Sequence, residues 1–118
     1  MGTVNLSPLS EIEGYVASAV VDRSSGMLMG EHGQAPFSLE LAGAGNTEVV
    51  KAKMRTMQTL ALAEKIEDIL ITLDTQYHII RPVETADHIF IYVVLNKQRA
   101  NLAMARHVIR DFEKKTVL

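Results

Sequence analysis

The four histidines, at positions 32, 78, 88 and 107, are the first place to look for chemistry in this sequence. A metal site needs several converging ligands, often two of them four residues apart on one helix. His107 and Asp111 have that spacing, but such a pair is more commonly a solvated helix face. His78 and His88 fall near the ends of neighbouring predicted strands, and two histidines alone do not make a site. We therefore predict no metal ligands and no catalytic residues among them.

Other catalytic patterns are absent or incomplete. The glycines of Gly43–Thr47 (GAGNT) suggest a nucleotide-binding loop, but the dinucleotide fingerprint needs a preceding strand and a glycine where Glu48 stands. The sequence contains no Gly-Lys-Ser/Thr step, no Gly-x-Ser-x-Gly pattern and no cysteine. Neighbouring carboxylates such as Glu11 and Glu13 are typical of solvated element ends. We expect no cofactor and no catalysis, and keep an enzyme of unknown type as an alternative.

Basic side chains on two predicted helices form the remaining candidate site. Lys51 and Arg55 lie on the polar flank of one helix, and Arg106 lies on the last helix. Their arrangement fits ordinary helix solubility, and it also fits a surface for an acidic partner. A general nucleic-acid binder is excluded by the net charge of -2 and the pI near 6.1, since binding phosphates needs a basic surplus.

Length and composition indicate one soluble domain spanning residues 1–118, because two domains would each have too small a core. Hydrophobic residues make up 47% and charged residues 22%, the balance of a globular protein. The longest apolar run, Ile89–Leu95, is too short to cross a membrane. Residues 1–10 carry neither a basic residue nor a long apolar run, so we expect no signal peptide and a cytoplasmic protein.

The first part of the chain predicts a helical turn and a hairpin. A short helical turn over residues 8–13 stops at Gly14. Tyr15–Val21 is apolar and β-branched, which is typical of a strand buried on both faces. Residues 22–26 (DRSSG) have turn chemistry, and Met27–Glu31 forms the return strand.

A long helix follows, and its start is ambiguous. Ser38 could cap a helix over residues 39–62, or Asn46 could cap a shorter one. We favour the longer helix, in which Gly43 and Gly45 mark a close helix contact or a local weakness. Its apolar stripe consists of Val50, Met54, Met57 and Ala61.

Three strands and a last helix complete the pattern. The strands are Ile69–Leu73, Tyr77–Arg81 (followed by Pro82) and Ile89–Leu95, and the helix spans residues 98–115. Seven consecutive apolar residues in the last strand place it at the centre of the sheet. Strands without polar alternation need cover on both faces, so the long helix covers one face and the terminal helices cover the other.

This order of elements resembles the roadblock (dynein light chain) family. The hairpin Gly14–Leu28 (GYVASAVVDRSSGML) is similar to the opening of roadblock domains, in which a glycine precedes an apolar strand that ends in an acidic turn. Ile79–Pro82 (IIRP) is similar to the close of the family's three-strand meander. Asn101–Arg106 (NLAMAR) looks like the start of the last helix in bacterial members. The resemblance covers about residues 12–112, with a shorter first helix and the Gly43/Gly45 pair as departures.

The resemblance implies an α+β, profilin-like fold: a five-stranded antiparallel sheet with the long helix on one face and the terminal helices on the other. It also implies a non-enzymatic homodimeric adaptor or regulator of a small Ras-like GTPase, without a cofactor, or a partner for another roadblock-like chain. A small-ligand sensor remains an alternative, because a sheet covered by helices can hold a pocket. Under the leading hypothesis the partner-binding residues are Lys51, Arg55 and Arg106.

The family's strand order would place Ile69–Leu73 at an edge of the sheet. This run has no Lys, no Pro and no charge, so it is a template for pairing with another chain. We expect the long helix to pack beside this edge, with methionines that adapt to an interface. The simplest dimer is two-fold, with the strand pairing with its own copy. The predicted dimer interface consists of Met54, Met57, Ile69, Leu70, Ile71, Thr72 and Leu73.

Overall fold

The computed structural model describes residues 4–118 and contains five strands, two α-helices and a 3₁₀ turn. In chain order the elements are the 3₁₀ turn Ser7–Glu11, β1 Tyr15–Asp22, β2 Met27–Gly33, α1 Leu39–Thr59, β3 Ile69–Thr72, β4 Gln76–Pro82, β5 Ile89–Asn96 and α2 Leu102–Lys115. The strands form one antiparallel sheet in the order β2-β1-β5-β4-β3.

The predicted fold class is confirmed, with β5 at the centre of the sheet. Seven consecutive residues of β5, Ile89–Leu95, are buried, because α1 lies over one face of the sheet while α2 and the 3₁₀ turn lie over the other. Burial of both faces explains why this strand reads as a continuous apolar run instead of an alternating one.

The α2 face is closed by two short terminal elements. Leu6, Leu9 and Ile12 from the 3₁₀ region join Ile109 and Phe112 of α2 in one buried cluster with the sheet. The first helix is short, as the sequence indicated, yet its three apolar residues are each at most 3% exposed. A single helical turn is therefore enough to complete this side of the core.

The α1 face depends on a close approach at Gly43. A Cβ built on Gly43 would lie 2.8 Å from Leu28 Cδ2, so this glycine lets α1 settle onto β1 and β2. A Cβ on Gly45 would meet nothing within 4 Å. Of the two readings of the glycine pair, a close contact holds for Gly43, and Gly45 lies on the exposed side of α1.

Helix boundaries agree with the predictions at the start of α1 and differ at two other points. α1 begins at Leu39, as favoured, because the Ser38 hydroxyl accepts a hydrogen bond from the Leu41 amide at 3.2 Å. It ends at Thr59 instead of residue 62, and Ala61 turns into the left-handed region with φ 56°. α2 begins at Leu102 instead of 98, because the Asn101 side chain caps the Met104 amide. Within residues 4–118, neither helix has the length and apolarity needed to cross a membrane.

Candidate interaction surface

The edge of the sheet at β3 is the natural starting point, because it is where backbone pairing groups remain available. Within residues 4–118, β3 pairs only with β4, in the register Ile69↔Ile80 to Thr72↔Tyr77. Ile69, Leu70 and Ile71 are only half-buried. β3 therefore lies at the edge, and it presents partly exposed branched side chains there.

A strip of the α1 face next to this edge is only partly covered. We predicted that the long helix packs beside the β3 edge, and this prediction was wrong, because α1 packs mainly on β1 and β2. The reason is the Gly43 contact with Val21 of β1 and Leu28 of β2, which draws the helix toward that side. Ile69 and Ile71 border the α1-face cluster without full burial. We call Ile69, Ile71 and His78 the open strip.

Apolar side chains continue from the open strip past the end of α1. Met54 and Met57 are half-buried, while Leu60 and Leu62 are 60% and 44% exposed. Met54, Met57 and Leu62 line a groove of about 680 Å³ between the end of α1 and the β4–β5 connection. Leu73, at the far end of β3, is 43% exposed.

One polar chain crosses the α1 face beside the open strip. His78 Nε2 lies 2.8 Å from Gln76 Oε1, so it donates there, and His78 Nδ1 accepts from the Tyr92 hydroxyl at 3.0 Å. Burial raises the pKa of Tyr92 to about 12, opposed by a hydrogen bond from Asn46 of α1. Desolvation lowers the pKa of His78. These hydrogen bonds therefore favour a neutral imidazole at the border of the open strip, with both ring nitrogens hydrogen-bonded.

The histidines do not converge. β4–β5 pairing sets His78 opposite Val94 and Pro82 opposite Phe90. His78 therefore lies near the start of β4, whereas His88, just before β5, lies near the other end of β4. Asp111 forms an ion pair with Lys115 at 3.0 Å. Among residues 4–118, no three His, Cys, Asp or Glu side chains are grouped closely enough to hold a metal ion. The glycine segment 43–47 lies inside α1 and forms no loop.

The three candidate partner-binding residues lie on opposite sides of the sheet. Lys51 and Arg55 are on α1, half-buried and exposed respectively, and Arg55 borders the groove. Arg106 is on α2, where its guanidinium binds both oxygens of Asp68 at 2.8 and 3.1 Å. The structure therefore brings Lys51 and Arg55 onto one helix, separates Arg106 from them, and pairs the charge of Arg106 within the chain.

Ion pairs tie α2 to the segment that leads into β3, and sequence reasoning missed them. Besides Arg106 with Asp68, Arg110 pairs with Glu67 at 3.6 Å. Arg81 of β4 binds Glu113 of α2, whose other oxygen accepts the Glu84 amide at 2.9 Å. Arg106 and Asp68 are 38 positions apart, so no local spacing marks them as partners. These contacts fix the position of the edge strand relative to the core.

Leu60 and Leu62 were also missed as surface residues. The helix was predicted to run to residue 62, which treated them as part of its last turn. Their exposure, together with positive φ at Ala61, places them beyond the helix, and Leu62 lines the groove. Two leucines followed by the charged run Glu64-Lys65 could have marked them as a surface feature.

Comparison with solved structures identifies the fold. No family model and no curated protein matches the sequence. A Roadblock/LC7 domain from Streptomyces avermitilis superposes with a TM-score of 0.79 at 10% identity, covering 92% of this chain and 87% of that one. MglB from Myxococcus xanthus gives 0.78 at 13% identity, covering 90% and 77%. A structure described as MglB with tetrameric arrangement gives 0.76 at 14% identity, covering 92% and 78%. The resemblance to roadblock domains is thus confirmed at the level of the fold.

Proposed function

We propose that this chain is a non-enzymatic, cytoplasmic adaptor or regulator that dimerises through β3 and the open strip and presents the dimer to a small Ras-like GTPase. The observation that carries the proposal is the partly uncovered apolar border of β3, Ile69–Thr72, at the edge of a sheet whose strands β1 and β5 are largely buried. The similarity in fold to MglB supports it, and one MglB structure has a tetrameric arrangement. The GTPase follows from the resemblance to the roadblock family.

The geometry favours a two-fold dimer. If β3 pairs with its own copy, both sheets join into one, and the open strips of the two protomers lie side by side at the join. Burying Ile69, Ile71 and the two methionines removes apolar surface from water at roughly 25 cal/mol per Å². Such an interface should bury on the order of 1,200–2,000 Å² in total. A two-fold arrangement therefore brings together the two apolar strips that α1 leaves open.

A charge in the open strip tests the dimer. Ile71→Lys should give a monomer with unchanged far-ultraviolet circular dichroism, because a desolvated ammonium at the interface outweighs the gain in burial. Light scattering measures the mass. The matched control is Met104→Lys, which places the same charge at a 54%-exposed apolar residue on the opposite side of the sheet, and should remain dimeric. If both variants keep the mass of the wild type, β3 is not the interface.

The GTPase hypothesis is tested separately, by sedimentation of the protein with candidate GTPases. Lys51→Glu combined with Arg55→Glu should slow association at low salt, because charges at an interface rim mainly affect the association rate. The control is Arg99→Glu combined with Lys114→Glu, which changes the net charge by the same amount. Arg99 is exposed just before α2, and Lys114 is exposed on α2. Equal association for both pairs at low salt would leave Lys51 and Arg55 with no role beyond solubility.

The alternative of a small-ligand sensor has weaker support. The groove is the feature that favours it, but several polar groups in its wall already have partners in the chain. Arg23 donates to the Asp87 carbonyl, Arg81 is held by Glu113, and Glu67 pairs with Arg110. A pocket for a polar ligand would present convergent polar groups with free capacity.

A further inference from the structure

The opposite edge of the sheet, at β2, is contacted by the chain itself. The Val4 amide donates to the Met29 carbonyl at 3.0 Å, which places the segment Val4–Leu6 alongside β2. We call this segment the edge guard. It is anchored by Leu6, which is 1% exposed, and Val4 packs against the same core as Met29.

The bonded carbonyl belongs to a bulge. Val20 pairs with Gly30 and Val21 pairs with Leu28, so Met29 has no partner on β1. A bulge interrupts regular pairing and twists an edge strand. The edge guard therefore binds β2 at the one residue where β2 departs from its own ladder.

Gly30 shows how closely the edge guard approaches. A Cβ at this position would lie 2.5 Å from the Val4 carbonyl oxygen, and 3.2 and 3.3 Å from the Val4 amide nitrogen and carbonyl carbon. All three atoms are backbone, so a side-chain rotation cannot relieve the contact. Gly30 does not have positive φ, so its backbone needs no glycine for conformational reasons. The absence of a side chain at position 30 is a requirement of the edge guard.

We propose that the edge guard prevents β2 from pairing with β2 of a second copy of this chain, so that assembly is confined to β3. An exposed strand edge pairs readily with another edge, and a protein with two open edges can extend without limit. In the dimer of the proposed function, β2 forms both outer edges of the joined sheet. The inference rests on that proposed function only for the size of the assembly. Displacing the edge guard exposes two identical edges that can pair antiparallel between dimers.

Gly30→Ala in the full chain is the first test. The methyl group must displace Val4, so the protection of the Val4 amide against hydrogen exchange is lost and the assembly grows to at least a tetramer, about twice the mass of the dimer. Gly45→Ala is the matched control, because its methyl group meets nothing within 4 Å, and it keeps the wild-type mass.

Val4→Pro is an independent test that leaves Gly30 intact. Proline has no amide hydrogen, so the bond to the Met29 carbonyl is lost. Val4→Ala keeps the amide and removes side-chain packing, and should retain the wild-type mass. If Val4→Pro folds and keeps the wild-type mass, the edge guard does not control assembly. The same conclusion follows if Gly30→Ala loses Val4 protection without any increase in mass. If Gly30→Ala keeps that protection, the edge guard does not require glycine at position 30.

Combining Gly30→Ala with Ile71→Lys separates this inference from the dimer hypothesis. With β3 blocked, growth through β2 alone stops at a dimer. If the wild type is a monomer, the proposed function fails, whereas Gly30→Ala alone should still convert monomer to dimer. Suppose instead that Ile71→Lys and the double variant are both monomers. That result contradicts pairing through β2 and supports the β3 interface.

Discussion

The two faces of the sheet are closed in different ways. On the α2 face, thirteen buried hydrophobic residues form one cluster, and ion pairs to Asp68 and Glu113 hold α2 at its margin. On the α1 face, the helix leans toward β1 and β2, and a polar chain through His78 borders an open strip. The comparison indicates that one face is completed by the chain alone and the other is suited to completion by a partner.

The largest expected effect is a difference between matched truncations on the two faces. Ile109→Ala removes a 1%-exposed side chain from the α2 face and should lower the free energy of unfolding by roughly 2–5 kcal/mol. Ile71→Ala removes the same atoms from the half-buried open strip and should cost less than about 1 kcal/mol in dilute monomeric protein, where little buried contact is lost. Urea denaturation measures both. Equal losses would mean that the α1 face is as closed as the other.

The second expected effect concerns how α1 is seated. Gly43→Ala brings a methyl group to within 2.8 Å of Leu28 Cδ2, so the Leu28 side chain must shift, and this should cancel the gain in helix propensity or destabilise the protein by up to about 1 kcal/mol. Gly45→Ala, two residues away and free of contacts, should instead stabilise it by up to about 1 kcal/mol. Thermal denaturation of the two variants at equal concentration gives the comparison. Stabilisation by both substitutions would contradict the close seating of α1.

The third effect is a pH dependence specific to the α1 face. The pKa of His78 is lowered from its ordinary 6.5 by desolvation, so the unfolded chain binds the proton more readily. Its contribution to stability is therefore complete above pH 6.5 and is lost as the pH falls from 6.5 toward the folded-state pKa. Gln76 and Tyr92 hydrogen-bond the ring, and Phe37 packs against it at 5.7 Å.

His78→Gln should flatten the fall in stability below pH 6.5, as measured by urea denaturation across pH 5 to 7.5. The control is His107→Gln, a change at an exposed position on α2, which should leave the slope of the wild type in place. If the two variants have the same pH profile, the polar chain through His78 is not what makes the α1 face sensitive to acid.

The smallest expected effect is at the ion pairs. Arg106→Gln breaks the two contacts to Asp68 but leaves both side chains within reach of water, so the loss should be about 0.2–1 kcal/mol and should shrink at high salt. Urea denaturation at low and high ionic strength measures it. A loss well above this range, unchanged by salt, would mean that Arg106 contributes to the core and not only to its margin.

Much of the fold could be read from local patterns. The apolar run 89–95 indicated a strand covered on both faces, and Ser38 marked the start of α1. The position of α1 could not be read, because it depends on a side chain missing at Gly43 facing Leu28, fifteen residues earlier in the chain. For the site, the apolar edge strand was found from its composition and family order, whereas the pairing of Arg106 with Asp68 depends on tertiary geometry alone.

Sedimentation equilibrium of the wild-type chain at tens of micromolar tests the central claim most directly. The open strip and the unpaired edge of β3 predict a mass twice that of the 13.0 kDa chain. A single species of 13.0 kDa across that concentration range would contradict the dimer. It would then leave the open strip as a surface for some other partner.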